Sequence, residues 1–209
     1  MSPQIERTGL REHAPRGKYQ GMQPRRKPDE RARRTCQRLG EALLGLILEK
    51  PYENVTVQEV LDRASVGRST FYLHYRDKND LLLSQLEQFG EFMSTMLVVR
   101  KEKSHRVMPV EEMFAHIAQQ ITLYRALENA NRINDFFDLA QGYFARGIAQ
   151  RLGDSGRATN VPRLELDARA TALAGSLISL LKWWLSRGAK ESARSMDELF
   201  HRMVWKGMQ

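Results

Sequence analysis

The chain has 209 residues, a net charge of +8 and a pI near 9.8; that length can bury a core without cross-links. Its one cysteine, Cys36, excludes an internal disulfide and fits a reducing, cytoplasmic setting. The first thirty residues lack the apolar region of a secretory signal, and the most apolar run, Leu177–Leu185, is short and carries Lys182, which excludes it as a membrane span.

The charge is uneven. Residues 1–34 hold ten Lys/Arg against four Asp/Glu, so a basic end sits on a nearly neutral body. Residues 1–28 contain Pro3, Pro15, Pro24, Pro28, Gly9, Gly17 and Gly21 and few large apolar groups. They cannot bury enough surface to offset ordering entropy and are expected to be a disordered basic arm. Such an arm either meets a polyanion or is simply solvated. Arg25, Arg26 and Lys27 precede the first helix and would be its contacts to phosphate or a minor groove.

From Asp29 the pattern becomes helical. Leu39, Ala42, Leu43, Leu46 and Ile47 recur on one face of a helix that Pro51 ends. Thr56 and Glu59 have the spacing of a capping box, opening a short helix whose stripe is Val57, Val60, Leu61 and Ala64. Ser65-Val66-Gly67 breaks it, and a third helix spans roughly Arg68 to Tyr75. Helices are then expected at 78–103, 110–128, 132–151, 163–187 and 196–206, with Pro109 and Pro162 at helix starts and Gly153, Gly156 and Gly188 at or after helix ends. Ser195 and Glu198 suggest another capping box. No stretch sustains the period-2 alternation of a strand. The expected fold class is all-α: a three-helix head, 29–77, and a larger helical body, 78–209.

Two short helices joined by a tight turn and braced by a preceding one make a helix-turn-helix, whose second helix can enter a major groove. Val66, Phe71 and Tyr75 would pack inward on Leu43, Ile47 and Leu61, leaving Arg68, Ser69 and Tyr72 outward. Arginine can bond guanine bidentately, serine suits either base type, and Tyr72 offers a ring to a thymine methyl and a hydroxyl to phosphate. Thr56 and Gln58 can present backbone N–H groups and a side chain to phosphate, and Lys78 can reach a flanking one.

The stretch Val55–Leu82, "VTVQEVLDRASVGRSTFYLHYRDKNDLL", resembles the DNA-binding domain of the TetR/AcrR family of transcriptional regulators. The resemblance rests on Val55-Thr56, Ala64-Ser65-Val66, Thr70-Phe71-Tyr72, Tyr75, Lys78 and Asp80-Leu81-Leu82, and extends over residues 30–82. Ser65 stands where the family usually has glycine, and Gly67 where serine or threonine often caps the third helix. The resemblance adds Thr70 to the DNA-facing set and gives His74 two readings, a phosphate contact or a packed helix end.

It also implies a body that binds an effector and forms a homodimer. Phe92, Met96, Phe114, Ile117, Tyr124 and Phe137 lie on aromatic and flexible stripes that either line an effector pocket between helices or form ordinary core. His116, Gln120 and Asp135 could supply polar contacts there. In "LAGSLISLLKWWLSRGA", Trp183 and Trp184 point about 100° apart, so burial on two sides is expected. The family places its dimer bundle on the last two long helices, which assigns Leu177, Leu180, Leu181 and Trp184 to the interface; the alternative is a central helix of a monomer.

The five histidines have no metal-ligand spacing, and no nucleophile elbow or phosphate-cradling loop occurs. No cofactor, metal or catalytic set is expected, and a helical enzyme is the weakest alternative. The reading is a homodimeric, cytoplasmic regulator that binds a double-stranded DNA operator and a small-molecule effector, most simply as a repressor. A DNA-organising or partner-docking protein on the same fold is the alternative.

Overall fold

A computed structural model of the chain describes residues 30–154 and 161–206. The basic arm expected at 1–28, with Arg25, Arg26 and Lys27, and the glycine stop at Gly156 lie outside them. Among the described residues there are nine α-helices: α1 Glu30–Glu49, α2 Val57–Ala64, α3 Arg68–His74, α4 Lys78–Val99, α5 Val110–Gln119, α6 Ile121–Asn129, α7 Ile133–Asp154, α8 Arg163–Ser186 and α9 Ala193–Lys206. A single 3-10 turn, Tyr52–Asn54, joins α1 to α2.

In the head, α1 buries the expected stripe of Leu39, Ala42, Leu43, Leu46 and Ile47. Against it pack Val60 and Leu61 of α2, Phe71 of α3, and Tyr75 just beyond α3, with Val66 half-buried in the turn. Both hydrogen bonds of the capping box form: the Glu59 N–H donates to the Thr56 hydroxyl at 3.3 Å, and the Thr56 N–H donates to Glu59 Oε2 at 2.9 Å. Lys50 also pairs with the Glu59 carboxylate. The lysine bond, then the two from Thr56, pull the Glu59 pKa down to about 2.

Several expected helix bounds change: α7 runs on through Gly153 to Asp154, and α9 starts at Ala193 rather than 196. The span 110–128 divides at Gln120, whose φ of −108° and ψ of 23° separate α5 from α6. α4 stops at Val99 rather than 103, because Arg100 caps it and Lys101 takes a left-handed φ of 52°. The capping box expected at Ser195 and Glu198 does not form. Ser192 accepts the Ser195 N–H at 3.1 Å, one turn earlier, and Glu198 pairs with Arg194.

In the body, α7 packs between α4 and α8, and α5 lies along α9. α4 and α7 approach closely at Gly147, where a Cβ would sit 2.6 Å from the Ser94 carbonyl oxygen. The core holds Phe114, Phe136, Phe144, Trp184 and Phe200, all nearly inaccessible to solvent.

That packing corrects two expectations. Of the six proposed pocket residues, Met96, Phe114, Ile117, Tyr124 and Phe137 are core, but Phe92 is 55% exposed. It lies on the side of α4 turned away from α7. The tryptophans of α8 do divide between two environments, but opposite to the interface assignment. Trp184 is 1% exposed, lies 4.8 Å from the Phe114 ring, and donates its indole N–H to the Glu191 carbonyl at 2.9 Å. Leu177 and Leu181 are equally buried, so three of the four assigned interface residues belong to the protomer core, and only Leu180 is half-exposed. Trp183 faces outward, 44% exposed.

Candidate nucleic-acid interface

The geometry of α3 follows from what the head must bury. Phe71 and Tyr75 turn inward at i, i+4, which forces the other faces of a two-turn helix into solvent. Arg68, Ser69, Tyr72 and His74 are exposed and Thr70 is half-buried. Tyr72 packs edge-on against Phe71, 5.3 Å between ring centroids, which fixes its ring while its tip stays in water. His74 is exposed rather than packed into the helix end. Leu73, 81% exposed, stands one turn above Ser69 on the same face. Sequence reading missed Leu73; its signal was a leucine at an outward position of a helix whose inward positions were already filled.

The turn between α2 and α3 is held by a strut that the sequence did not reveal. Ser65 ends α2 at φ 51°, in the left-handed region where glycine is at ease. Arg38, on α1, donates to the carbonyls of Ala64 and Ser65, satisfying the end of α2. Gly67 starts α3 without a side-chain cap.

The polar residues of α2 are already engaged. The Thr56 hydroxyl and N–H are both spent on Glu59, so Thr56 sets the helix start. Gln58 accepts from Arg68 Nη2 at 2.8 Å and donates to Asp62 at 2.8 Å.

Lys78 differs from its expected role. Its ammonium donates to the carbonyls of Tyr52, Glu53 and Val55 at 2.8, 3.0 and 2.7 Å, and lies 4.6 Å above the Tyr52 ring. An ammonium has three donors, and all three are used, so Lys78 ties the 3-10 turn to the start of α4 instead of reaching outward to phosphate. Burial lowers its pKa from the ordinary value. Asp77 caps α4, accepting from Asn79 and Asp80 at 2.8 and 2.9 Å.

Of two clefts, one in the body and one between the end of α1 and α6, neither is lined by the five buried residues of the expected pocket. The larger, about 420 Å³, lies among the α4–α5 loop, α7 and α9, and is lined by Glu102, Arg106, Arg151 and Trp205 among others. Of the three polar groups expected beside the pocket, His116 stacks on Phe89 at 4.9 Å and burial lowers its pKa, Asp135 pairs with Arg132, and Gln120 is exposed. Among the described residues no His/Cys/Asp/Glu cluster could hold a metal ion, and no helix is long and apolar enough to cross a membrane.

The elements α1 to α3 therefore define a helix-turn-helix head on a helical body. Residues 41–84 match the model of bacterial regulatory proteins of the tetR family. An uncharacterised HTH-type transcriptional regulator of Bacillus subtilis (strain 168), YxbF, is 30% identical over 174 residues, 79% of this chain and 42% of that protein. The chain thus spans less than half the length of that curated relative. Two solved structures share the fold. One, from Syntrophomonas wolfei and assigned to the TetR-family transcriptional regulators, has 19% identity and a TM-score of 0.61, over 82% of this chain and 95% of that one. The other, a TetR transcriptional regulator from Streptococcus agalactiae 2603V, has 24% identity and a TM-score of 0.56, over 84% and 96%.

Proposed function

We propose that the chain is a sequence-specific DNA-binding transcriptional regulator of the bacterial cytoplasm, acting as a homodimeric repressor on a palindromic operator. One observation carries this reading: α3 is anchored by buried Phe71 and Tyr75 and presents Arg68, Ser69, Tyr72 and Leu73 to solvent, within the span matched to the TetR family. Those are the residue types that read guanine edges, thymine methyls and phosphates. Two copies related by a twofold axis would place their α3 helices roughly 34–36 Å apart, one turn of DNA. The outward sides of α8 and α9, with exposed Trp183 and Met203 and half-exposed Leu180, suit the dimer contact better than the buried residues first assigned to it.

Release by a small-molecule effector belongs to the same reading and rests on the family likeness. A DNA-binding protein without an effector is favoured by one observation, the dense packing of Met96, Phe114, Ile117, Tyr124 and Phe137, each at most 6% exposed. Selection of bound sequences from random duplex DNA tests the function, with a palindromic consensus expected. Enrichment of nothing over non-specific, salt-sensitive binding refutes it. Adding a bacterial small-molecule extract to the selected complex separates the two readings, release marking the effector-controlled regulator.

A further inference from the structure

The relay Asp62–Gln58–Arg68 crosses the turn of the helix-turn-helix. Asp62 and Gln58 lie four residues apart on α2, and Arg68 is the first residue of α3. Asp62 Oδ1 accepts from Gln58 Nε2 at 2.8 Å, and Gln58 Oε1 accepts from Arg68 Nη2 at 2.8 Å. All three side chains are exposed, on the surface that the proposed function turns toward DNA.

The chemistry fixes the order of the relay. An ionised carboxylate only accepts, so it selects the donating end of the Gln58 amide. The carbonyl end is then left for a guanidinium, which only donates. A flipped amide would set donor against donor at Arg68 and acceptor against acceptor at Asp62. The neutral Gln58 amide stands between the Asp62 carboxylate and the Arg68 guanidinium. That arrangement holds the arginine without neutralising it. A carboxylate directly on the guanidinium would compete with a base or phosphate, whereas an amide oxygen occupies one of the five N–H donors and leaves the charge in place.

We infer that Asp62 and Gln58 are positioning residues for base reading: through the orientation of the Gln58 amide they hold the Arg68 guanidinium in a fixed direction before DNA arrives. The inference rests on the proposed DNA-binding reading. A long, rotamer-rich side chain restrained in advance loses less freedom on binding, so release of the restraint weakens specific binding by about two- to tenfold. The loss falls on the base pair that Arg68 contacts.

The test uses the full chain and position-resolved base preference, measured by selection from randomised duplexes and titration of single-base operator variants. Asp62→Ala is expected to flatten preference at the position that Arg68→Ala flattens, and to leave other positions unchanged. Asp62→Asn retains an oxygen acceptor and should keep the wild-type profile. In an Arg68→Ala background, Asp62→Ala should have no further effect on preference. Simple charge repulsion makes the opposite forecast: removing an acidic group raises affinity on every sequence alike and leaves preference intact. That result, or a changed profile for Asp62→Ala when Arg68 is already absent, overturns the relay alone. A wild-type protein that selects no sequence overturns the DNA-binding reading and the relay with it.

Discussion

Replacing each of the two adjacent tryptophans of α8 separates protomer core from interface. Trp184 is 1% exposed, packs at a tilt against the Phe114 ring and donates to the Glu191 carbonyl. Truncation to alanine removes the ring, leaves a cavity between α5 and α8, and costs about 3–5 kcal/mol. The orphaned carbonyl adds about 1 kcal/mol. Against a total stability on the order of 5–15 kcal/mol, Trp184→Ala should bring the chain close to unfolding. Trp183 is 44% exposed, with the Arg187 guanidinium 5.2 Å from its ring centroid. Its truncation should change protomer stability by no more than about 1 kcal/mol while removing a large apolar contact from the outward face. Urea unfolding followed by circular dichroism measures the first effect, and sedimentation velocity at several concentrations measures the second. The expected pattern is a strongly lowered midpoint for Trp184→Ala and a folded protein of altered association for Trp183→Ala. A stable Trp184→Ala protein that has merely become monomeric would refute the placement of Trp184 in the core.

Three further outcomes follow from the head. Lys78→Met should lower stability by about 2 kcal/mol, since three carbonyls lose a charged donor, and should leave the slope of log affinity against log salt unchanged; a slope shallower by about one would mark a phosphate contact instead. Glu59 has its pKa depressed from 4.5 to about 2, so its contribution is complete above 4.5 and disappears as pH falls toward 2; Glu59→Gln should flatten the thermal midpoint's dependence on pH in that window. Ser65→Gly should raise stability by about 0.5–1 kcal/mol, because relief of left-handed strain exceeds the added chain entropy; an unchanged urea midpoint would mean that the Arg38 bonds already absorb the strain.

The head was legible in the sequence because its determinants are local. Thr56 and Glu59 are three residues apart, Phe71 and Tyr75 four, and each pair forms as its spacing implies. Lys78 was misread for the opposite reason. The carbonyls it joins lie more than twenty residues away, and a lysine at a helix start looks the same whether it faces phosphate or a neighbouring turn. Arg38 escaped notice likewise, since its partners are Ala64 and Ser65. In α8, periodicity required Trp183 and Trp184 to diverge, but which one points inward depends on where α5 brings Phe114. Phe92 carries no mark distinguishing it from its buried neighbours, because α4 is apolar on more than one side. The break at Gln120 has neither proline nor glycine to announce it.

The same long-range contacts determine how the head is mounted. Tyr52, 3% exposed, donates its hydroxyl to Asn79 Oδ1 at 2.6 Å. Burial pushes its pKa up to about 12, which keeps that donor protonated at any physiological pH. Arg132, between α6 and α7, donates to the same Asn79 oxygen at 3.2 Å, pairs with Asp135 at 3.2 Å, and lies 5.5 Å from the Tyr52 ring centroid. Lys78 lies over that ring too. One aromatic ring and one amide oxygen thus join the end of α1, the start of α4 and the corner of α6 and α7, while α1 also packs on α6. A helix-turn-helix mounted on α4 alone could swing about the α3–α4 junction. Here such a swing would pull Tyr52 away from Asn79 and from the Arg132 guanidinium, and would part Lys78 from the carbonyls of Tyr52, Glu53 and Val55. The head is therefore fastened to the α6–α7 corner as well as to α4.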